Sequence, residues 1–357
     1  NGTGVTSNSA VTWPAAVSGQ GIVISAGPTI TSATDSDNVS ARNLVMGSTD
    51  NVLYKLRLSV DNTEDTRVTD IVFRDTITGN TASRTSLNNL KLYDSDGTLL
   101  AGPVGLLLGS DDLTTGTVTF SLGSTSSLIV AKNTSKTVTV KSDVASFTSG
   151  AVSNSGHTLS IAATGDVTAY GKDSSTLATR AGTPAGTAQT VYRSKPSLTA
   201  TLLGYASART RVAVDEIANL NFSANAADDL ILLSVTVRFT GAAVSGASNF
   251  TADLIDANTN ASWGTSAQVT CTSSTAASCT AAFTGTSSPN YTITRGTTKV
   301  VKLRINSSNH VNAANTSDSL SALIDLNTGL KWNDRTTDNI NWEAYQIPIT
   351  LVNVSYE

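Results

Sequence analysis

The residues of this chain that could do chemistry are few and lie far apart. Its 357 residues include only two histidines and two cysteines, and His157 and His310 lie in different parts of the chain. A zinc site needs several His or Cys ligands at close spacing, and a Ser–His–Asp triad needs a histidine beside a nucleophile. Neither pattern is present, and there is no G-x-S-x-G elbow or Gly-rich phosphate loop. The sequence therefore predicts a protein that is not an enzyme and has no metal site made of His or Cys.

The two cysteines, Cys271 and Cys279, flank a short segment rich in Ser and Thr. This spacing predicts a disulfide across a hairpin, and the alternative is a pair of reduced thiols. Closing a loop of about nine residues stabilises a fold by ~2.5 kcal/mol in the chain-entropy model. The hydroxyl-rich composition favours the disulfide, because it is typical of an oxidising exterior.

Two acidic clusters have the residue types of a calcium site. Asp94-Ser95-Asp96-Gly97 resembles the start of a calcium loop, but no bidentate Glu follows at the twelfth position. Asp61 and Asp65 form the second cluster. Asp and Asn are also ordinary turn residues, and turn chemistry is the interpretation we favour. Calcium bound by Asp94, Asp96, Asp61 or Asp65 is thus an optional cofactor, and no other cofactor is expected.

Two features of the sequence bear on sugar: its sequons and its aromatic residues. Sequons of the form Asn-x-Ser/Thr occur about as often as chance predicts in so hydroxyl-rich a chain, and the candidate glycosylation sites are Asn133, Asn249, Asn290 and Asn306. Aromatic residues of the second half could stack on sugar rings, namely Trp263, Trp332, Trp342 and Tyr345. Packing within the core is the favoured alternative for these aromatics. The sugar interpretation predicts an adhesin or carbohydrate-binding module of a larger surface protein, with cell-surface glycans as partners.

Composition excludes several classes of protein. Charged residues make up 14% of the chain and the net charge is −4, whereas about 25% charged residues is usual in soluble domains. Ser and Thr fill the difference, at about 28% of the chain. The sequence has no block of basic residues that could bind phosphate groups, so nucleic acid is not expected as a partner. No apolar run reaches the ~18 residues of a transmembrane helix, so no membrane span is expected.

Alternation of apolar and polar residues is the dominant pattern. Apolar side chains recur at every second position in one segment, at Tyr54, Leu56, Leu58 and Val60. Side chains of successive strand residues point to opposite faces, so this spacing indicates a strand with one buried face. Turn signals such as Asp96-Gly97 and Ser149-Gly150 separate the strand segments. The predicted fold class is all-β, with antiparallel sheets packed as immunoglobulin-like sandwiches.

The sequence also repeats itself. The alternating segment at Tyr54 returns at Ala218, Leu220, Phe222 and Ala224, and other strand segments return in the same order at offsets near ~164 residues. We therefore predict two tandem β-sandwich domains, at residues 26–193 and 194–357, preceded by a strand segment at residues 1–25.

The two ends carry segments with no evident place in a repeat. Thr3-Gly4-Val5-Thr6 resembles Thr164-Gly165-Asp166-Val167, and residues 346–352 resemble the first strand of a further unit. One interpretation is that residues 1–25 are a donor strand that completes the sheet of another copy. Its apolar side chains would be buried there: Val5, Val11, Trp13, Ile22 and Ile24. The alternatives are an excerpt of a longer array and an arm folded on its own domain.

Two segments of the first half carry a family resemblance. They are Leu90-Lys91-Leu92-Tyr93-Asp94-Ser95-Asp96-Gly97-Thr98 and Ile129-Val130-Ala131-Lys132-Asn133-Thr134-Ser135-Lys136-Thr137-Val138-Thr139-Val140. They resemble the β-sandwich repeats of bacterial and archaeal surface-layer-like, stalk and filament proteins. The resemblance covers most of residues 45–170 and, more faintly, 210–325. It departs from the family pattern at Lys132-Asn133 and at Asp256-Ala257-Asn258.

The resemblance implies a self-assembling component of a surface or filament, and it transfers no catalytic residue. Together with the repeat, it predicts an extracellular or cell-surface structural protein that polymerises head to tail with copies of itself. The contacts would run through sheet edges, with the N-terminal strand of one subunit docked on the next.

Overall fold

The computed structural model describes twelve segments of the chain. They are residues 2–3, 10–11, 27–79, 86–108, 114–123, 128–241, 247–263, 267–272, 278–284, 291–309, 318–342 and 349–357. The described secondary structure consists almost entirely of strands. One short helix, α1 (Leu326–Gly329), and three single 3₁₀ turns, at Phe147–Ser149, Thr164–Asp166 and Ser307–Asn309, complete it.

Strands β1 to β16 belong to the N-terminal half of the chain. They are β1 (Gly2–Thr3), β2 (Ala10–Val11), β3 (Thr29–Thr34), β4 (Arg42–Val45), β5 (Asn51–Val60), β6 (Thr66–Thr78), β7 (Leu87–Tyr93), β8 (Leu99–Val104), β9 (Leu107–Leu108), β10 (Thr115–Ser121), β11 (Ile129–Val130), β12 (Ser135–Val144), β13 (Ser155–Ser160), β14 (Val167–Gly171), β15 (Thr179–Ala181) and β16 (Gln189–Tyr192). We call the body formed by β3 to β16 unit 1.

Strands β17 to β28 form the second body, which we call unit 2. They are β17 (Pro196–Leu202), β18 (Asp215–Ala224), β19 (Leu230–Gly241), β20 (Ala247–Asp256), β21 (Ala267–Thr272), β22 (Ser278–Thr284), β23 (Thr292–Ile293), β24 (Thr298–Ile305), β25 (Asp318–Ile324), β26 (Leu330–Asn333), β27 (Ile340–Asn341) and β28 (Ile349–Tyr356).

Each unit has two sheets. In unit 1, sheet I has the order β15-β3-β5-β12-β7-β8 and sheet II the order β4-β16-β13-β6-β10-β9, with β11 and β14 also paired to β6. In unit 2, sheet III has the order β17-β18-β24-β20-β21 and sheet IV the order β27-β26-β19-β25-β28, with β22 and β23 also paired to β19. Nearly all pairings are antiparallel, so the predicted all-β sandwich fold is confirmed.

Burial follows the alternation in the sequence. Tyr54, Leu56 and Leu58 on β5 are fully buried, and Leu220 and Phe222 are their buried counterparts on β18. The buried apolar side chains of the described residues form two clusters, one within unit 1 and one within unit 2. Burial of apolar area, at about 25 cal/mol per Å², stabilises each core separately. The exact domain boundaries at residues 25 and 193 stay predictions.

The sheet orders show that the repeat is structural. The succession β3-β5-β12-β7-β8 of sheet I is matched strand for strand by β17-β18-β24-β20-β21 of sheet III. The Arg74–Asp166 ion pair of unit 1 likewise returns as Arg238–Asp325 in unit 2, each with two hydrogen bonds. The two units therefore share one topology and one set of turn anchors.

The tail segment corrects one expectation. Residues 346–352 were expected to begin a further unit, but β28 pairs antiparallel with β25 inside unit 2. This is the position that β16 has beside β13 in unit 1. A Pro-headed β-branched segment fits a last strand as well as a first one, because both are edge positions that tolerate proline.

Candidate functional site: the joint and the two end faces

The predicted assembly segment is described only in part. β1 and β2 pair with each other in a two-stranded antiparallel ladder, with Gly2 opposite Val11 and Thr3 opposite Ala10. Val5, Trp13, Ile22 and Ile24 lie outside the described residues, as does the side chain of Val11. Docking of this segment on another copy therefore stays a prediction.

The candidate calcium ligands accept hydrogen bonds from the backbone. Asp94 Oδ1 accepts from the N–H groups of Asp96 and Thr98 at 3.0 and 2.8 Å. Asp61 accepts from the N–H groups of Thr63 and Thr29 at 3.0 and 2.9 Å. Turn anchoring thus accounts for these carboxylates without an ion.

Two further observations bear on calcium. Asp65 Oδ1 accepts a hydrogen bond from the Lys132 N–H at 3.1 Å, and Asp96 is exposed at the tip of its turn. No group of three or more His, Cys, Asp or Glu side chains within the described segments is placed to hold a metal ion. Calcium binding stays a prediction with no cluster to support it.

The two cysteines lie on strands of different sheets. Cys271 is on β21, which pairs with β20 in sheet III, and Cys279 is on β22, which pairs with β19 in sheet IV. The expected hairpin is therefore wrong, because the chain between these strands crosses from one sheet to the other. Cys279 is buried, with its Sγ 3.5 Å from the Phe239 carbonyl oxygen, and the Cys271 side chain lies outside the described part. The disulfide itself stays a prediction, now one that would join two sheets.

The candidate glycosylation sites differ in accessibility. Asn133 is exposed in the turn before β12 and has a left-handed backbone, with φ of 57°. Asn306 is half-buried after β24. Asn290 and the side chain of Asn249 lie outside the described residues.

The tryptophans expected as sugar platforms belong mostly to the core. Trp332 and Trp263 are fully buried, and Trp332 donates its Nε1–H to the Ser194 carbonyl oxygen at 3.0 Å. A buried ring cannot stack on a sugar, so stacking by these two residues is ruled out. Trp342 is half-buried against Trp332, with the Lys195 ammonium 4.7 Å from its ring centre. Tyr345 lies outside the described residues.

A buried acid–histidine pair was missed in the sequence. His157 Nδ1 lies 2.6 Å from Asp75 Oδ2, and both side chains are buried inside unit 1. They sit on the paired strands β13 and β6, among apolar neighbours such as Phe73 and Ile77. The burial of Asp75 could have been predicted, because it lies two residues from both Phe73 and Ile77 and therefore points to the same, buried face of the strand. Within the described residues, no nucleophile contacts the pair.

The contact between the two units, which we call the joint, centres on Asp334. This carboxylate follows β26 and is fully buried. Its Oδ2 accepts from the Arg193 N–H at 2.7 Å and from the Ser153 hydroxyl. Its Oδ1 accepts from the N–H groups of Thr336 and Thr337 at 2.9 and 2.7 Å. One buried carboxylate therefore binds groups from both units, and charge-assisted bonds of this kind are the strong ones.

Charged side chains surround Asp334 and reinforce the joint. The Arg193 guanidinium pairs with Asp228 of unit 2 and lies 3.8 Å from the centre of the Phe147 ring of unit 1. Arg335 pairs with Asp229 at 3.0 Å. Partly buried ion pairs and cation–π contacts are stronger than exposed pairs. The Arg193 contacts are of this kind, whereas Arg335 is half-exposed and pairs within unit 2. A cleft of about 310 Å³ remains beside them, and its walls include Phe147 and Met46 of unit 1 and Ala226 and Ala227 of unit 2.

At the far end of unit 2 lies a loop at residues 203–214, which together with Ser307 we call the tail face. Arg209 anchors the loop by a bidentate ion pair with buried Asp215 and by bonds to the Leu203 and Tyr205 carbonyls. The Tyr356 hydroxyl donates to the same Asp215 at 2.6 Å. Burial and the Asp215 charge raise the pKa of Tyr356, so this hydroxyl stays protonated.

The tail face is apolar where it meets solvent. Tyr205 is 85% exposed, Val214 62% and Val212 40%. The Arg209–Asp215 pair and its hydrogen bonds anchor the loop that carries these side chains. Clustered exposed apolar side chains of this kind typically mark a surface that binds a partner.

At the opposite end, unit 1 presents the loops at residues 61–65, 131–134 and 172–177, which we call the head face. Glu64 accepts from the Ser174 hydroxyl and from the N–H groups of Asp173 and Ser174. The Ser174 bonds, chiefly, lower the pKa of Glu64. Asp65 pairs loosely with Lys172 at 3.7 Å. The head face thus combines hydrogen-bonded carboxylates with one exposed apolar side chain, Leu177, which is 47% exposed.

The described part of the chain contains no helix of the length and apolarity that a bilayer crossing requires. No family model matches the sequence, and no curated protein matches it.

Solved structures with some likeness include three streptococcal proteins. The C-terminal domain of the AgI/II polypeptide BspA of Streptococcus agalactiae is 9% identical, with 92% of this chain and 99% of that chain covered and a TM-score of 0.22. A backbone pilin of Streptococcus pyogenes is 9% identical, with coverage of 90% and 51% and a TM-score of 0.19. The RrgB pilus protein of Streptococcus pneumoniae is 12% identical, with coverage of 92% and 43% and a TM-score of 0.19. These neighbours are adhesin and pilin proteins, but at such low scores the likeness carries no argument about function.

Proposed function

We propose that this chain is an extracellular structural protein that self-associates head to tail into a filament or surface layer. The observation that supports it best is the joint. Asp334 and Arg193 hold two sandwiches of one topology in a fixed relation, which suits a stiff, extended building block. A contact that repeats with a rotation that does not close generates an open polymer.

Strand addition is the proposed means of contact. β28 is an edge strand of sheet IV, and of the described residues only Arg209 forms a bridge beside it, at Tyr356. In unit 1 the equivalent strand β16 carries a full partner, the parallel strand β4. The N-terminal segment of another copy would pair with the open backbone groups near residues 349–352.

The composition fits this role. A net charge of −4 over 357 residues gives little long-range repulsion between copies. Ser and Thr on the outward strand faces supply solubility without charge. The adhesin alternative loses two of its three candidate tryptophans, because Trp332 and Trp263 are buried.

The test compares two triple variants of the full chain. In the first, Trp13→Ser, Ile22→Ser and Ile24→Ser remove apolar side chains of the proposed donor strand. In the matched control, Ser7→Ala, Ser9→Ala and Ser18→Ala change polar positions of the same segment. We expect wild type and control to form polymers under negative-stain electron microscopy, and the first variant to sediment as a monomer.

Two results would overturn the proposal. Wild-type protein that stays monomeric at every concentration contradicts self-assembly as such. Polymers of the first variant that equal those of wild type contradict strand addition.

A further inference from the structure

We infer that the tail face of unit 2 binds the head face of unit 1 of a second copy, in the arrangement that the joint shows within one chain. This inference rests on the proposed head-to-tail assembly and names the surfaces that would meet. It adds an end-to-end contact to the proposed pairing of strands.

The tail face is the counterpart of the surface of unit 1 that receives unit 2. In unit 1, Val144 donates its N–H to the Ser48 carbonyl oxygen at 2.8 Å, and in unit 2 Ser307 donates to Val212 at 2.9 Å. The parallel pairing of Val45 with Tyr192 returns as that of Arg209 with Tyr356. Val212 therefore occupies in unit 2 the place of Ser48, next to Met46 and Gly47, which line the cleft at the joint.

The head face is likewise the counterpart of the surface by which unit 2 meets unit 1. Asp61 Oδ1 accepts from the Thr63 N–H at 3.0 Å, and Asn225 Oδ1 accepts from the Ala227 N–H at the same distance. The loops next to these turns also correspond between the two units.

Asp65 accepts from the Lys132 N–H at 3.1 Å, as Asp229 does from the Arg295 N–H at 2.9 Å. Asn62 and Thr63 of unit 1 thus occupy the positions that Ala226 and Ala227 have in unit 2, where these alanines line the cleft together with Phe147. Glu64 stands where Asp228 binds Arg193.

Apolar area, rather than charge, supports the pairing of these two faces. The head loops carry both carboxylates and lysines, and Arg209 of the tail loop is already paired with Asp215. Leu177 on the head face is 47% exposed, and Tyr205, Val212 and Val214 on the tail face are exposed as well, so these side chains supply area for burial. Tyr205 is the side chain suited to anchor the contact, because tyrosine combines a large apolar ring with a polar tip.

The experiment uses one variant of each face in the full chain. Val212→Asp with Val214→Asp makes the tail face acidic, and Asn62→Tyr with Thr63→Tyr places uncharged bulk where unit 2 has alanines. Leu107→Asp changes an apolar side chain on β9 that is 67% exposed and distant from both faces, and serves as the matched control. Circular dichroism confirms that each variant is folded.

We expect each face variant alone to sediment as a monomer under conditions in which wild type and the Leu107→Asp control polymerise. A mixture of the two face variants should form one-to-one dimers and nothing larger, because each supplies the intact face that the other lacks. Polymerisation of either face variant to the wild-type extent would overturn this inference while leaving self-assembly intact. Wild-type protein that never polymerises would contradict both proposals together.

Discussion

At the scale of single residues, several carboxylates of the described segments anchor turns. Asp166 shows the pattern well, because it accepts from the Ala162 and Ala163 N–H groups and from two nitrogens of Arg74. Burial opposes its charge, but these hydrogen bonds, with that from Arg74 the largest, outweigh burial and hold the pKa of Asp166 below its usual value. The fold is thus stabilised by the ionised form.

This shift predicts acid sensitivity. The unfolded-state pKa of Asp is ~3.9 and the folded one is lower, so the contribution of Asp166 is full above pH 4 and is lost as the pH falls through the folded pKa. We expect Asp166→Asn to lower the free energy of unfolding by about 1–2 kcal/mol at pH 6, since Arg74 is half-exposed. Urea denaturation from pH 6 to pH 2 measures it.

The free energy of unfolding of Asp166→Asn should also depend less on pH than that of wild type does. Asp96→Asn is the control, because Asp96 lies exposed at a hairpin tip. Equal acid dependence in wild type and Asp166→Asn would contradict the assignment.

At the scale of elements, the alternation of apolar and polar residues predicted the strands well. Which strands correspond between the two units could be predicted only from the internal repeat of the sequence. The inward positions of β5 and β18 are buried as expected, because period-2 patterning directly reports which face meets a core. The hairpin between Cys271 and Cys279 was wrong, since local spacing cannot tell a turn within one sheet from a crossing between two. The tail strand β28 was misplaced for a similar reason.

The site was less predictable than the fold. The joint depends on Asp334 meeting Ser153 and Arg193, residues that are distant in sequence and have no motif in common. Only the three-dimensional pairing of the two units brings them together. The tail face was also missed, because exposed valines in a loop have no periodicity to report.

The placement of the cysteines gives a prediction at this scale. A Cys271–Cys279 bond would tie β21 of sheet III to β22 of sheet IV. We expect reductant to lower the free energy of unfolding of wild type by about 2–3 kcal/mol and to leave the Cys271→Ala, Cys279→Ala variant unchanged. Thermal unfolding with and without dithiothreitol measures the difference. Alkylation of both thiols in unreduced, denatured protein would contradict the bond.

At the scale of the whole molecule, the joint decides whether two sandwiches behave as one body. Asp334 is buried, and its carboxylate oxygens accept hydrogen bonds from the Ser153 hydroxyl of unit 1, from the Arg193 N–H and from the Thr337 N–H of unit 2. Ser194 adds to this by donating to the Asp229 carbonyl oxygen while accepting from Trp332. The link is therefore polar, specific and short, which makes it sensitive to single substitutions.

We expect wild type to unfold in a single calorimetric transition and Asp334→Asn to unfold in two. An amide at this position has one acceptor oxygen where the carboxylate has two, and the misplaced donors should cost about 2–4 kcal/mol of coupling between the units. Asp338→Asn, an exposed neighbour in the same loop, is the matched control. Identical calorimetric traces for the two variants would show that Asp334 does not couple the units.

The order of residues in the joint has a consequence for synthesis. Asp334 lies 181 positions after Ser153, the hydroxyl that it binds in unit 1. A nascent chain leaves the ribosome from its N-terminus, so unit 1 is complete long before Asp334 emerges. Until then the joint lacks Asp334, although Arg193 can already contact Asp228 and Phe147. The contribution of Asp334 to the coupling of the two units therefore appears only after most of unit 2 has been synthesised.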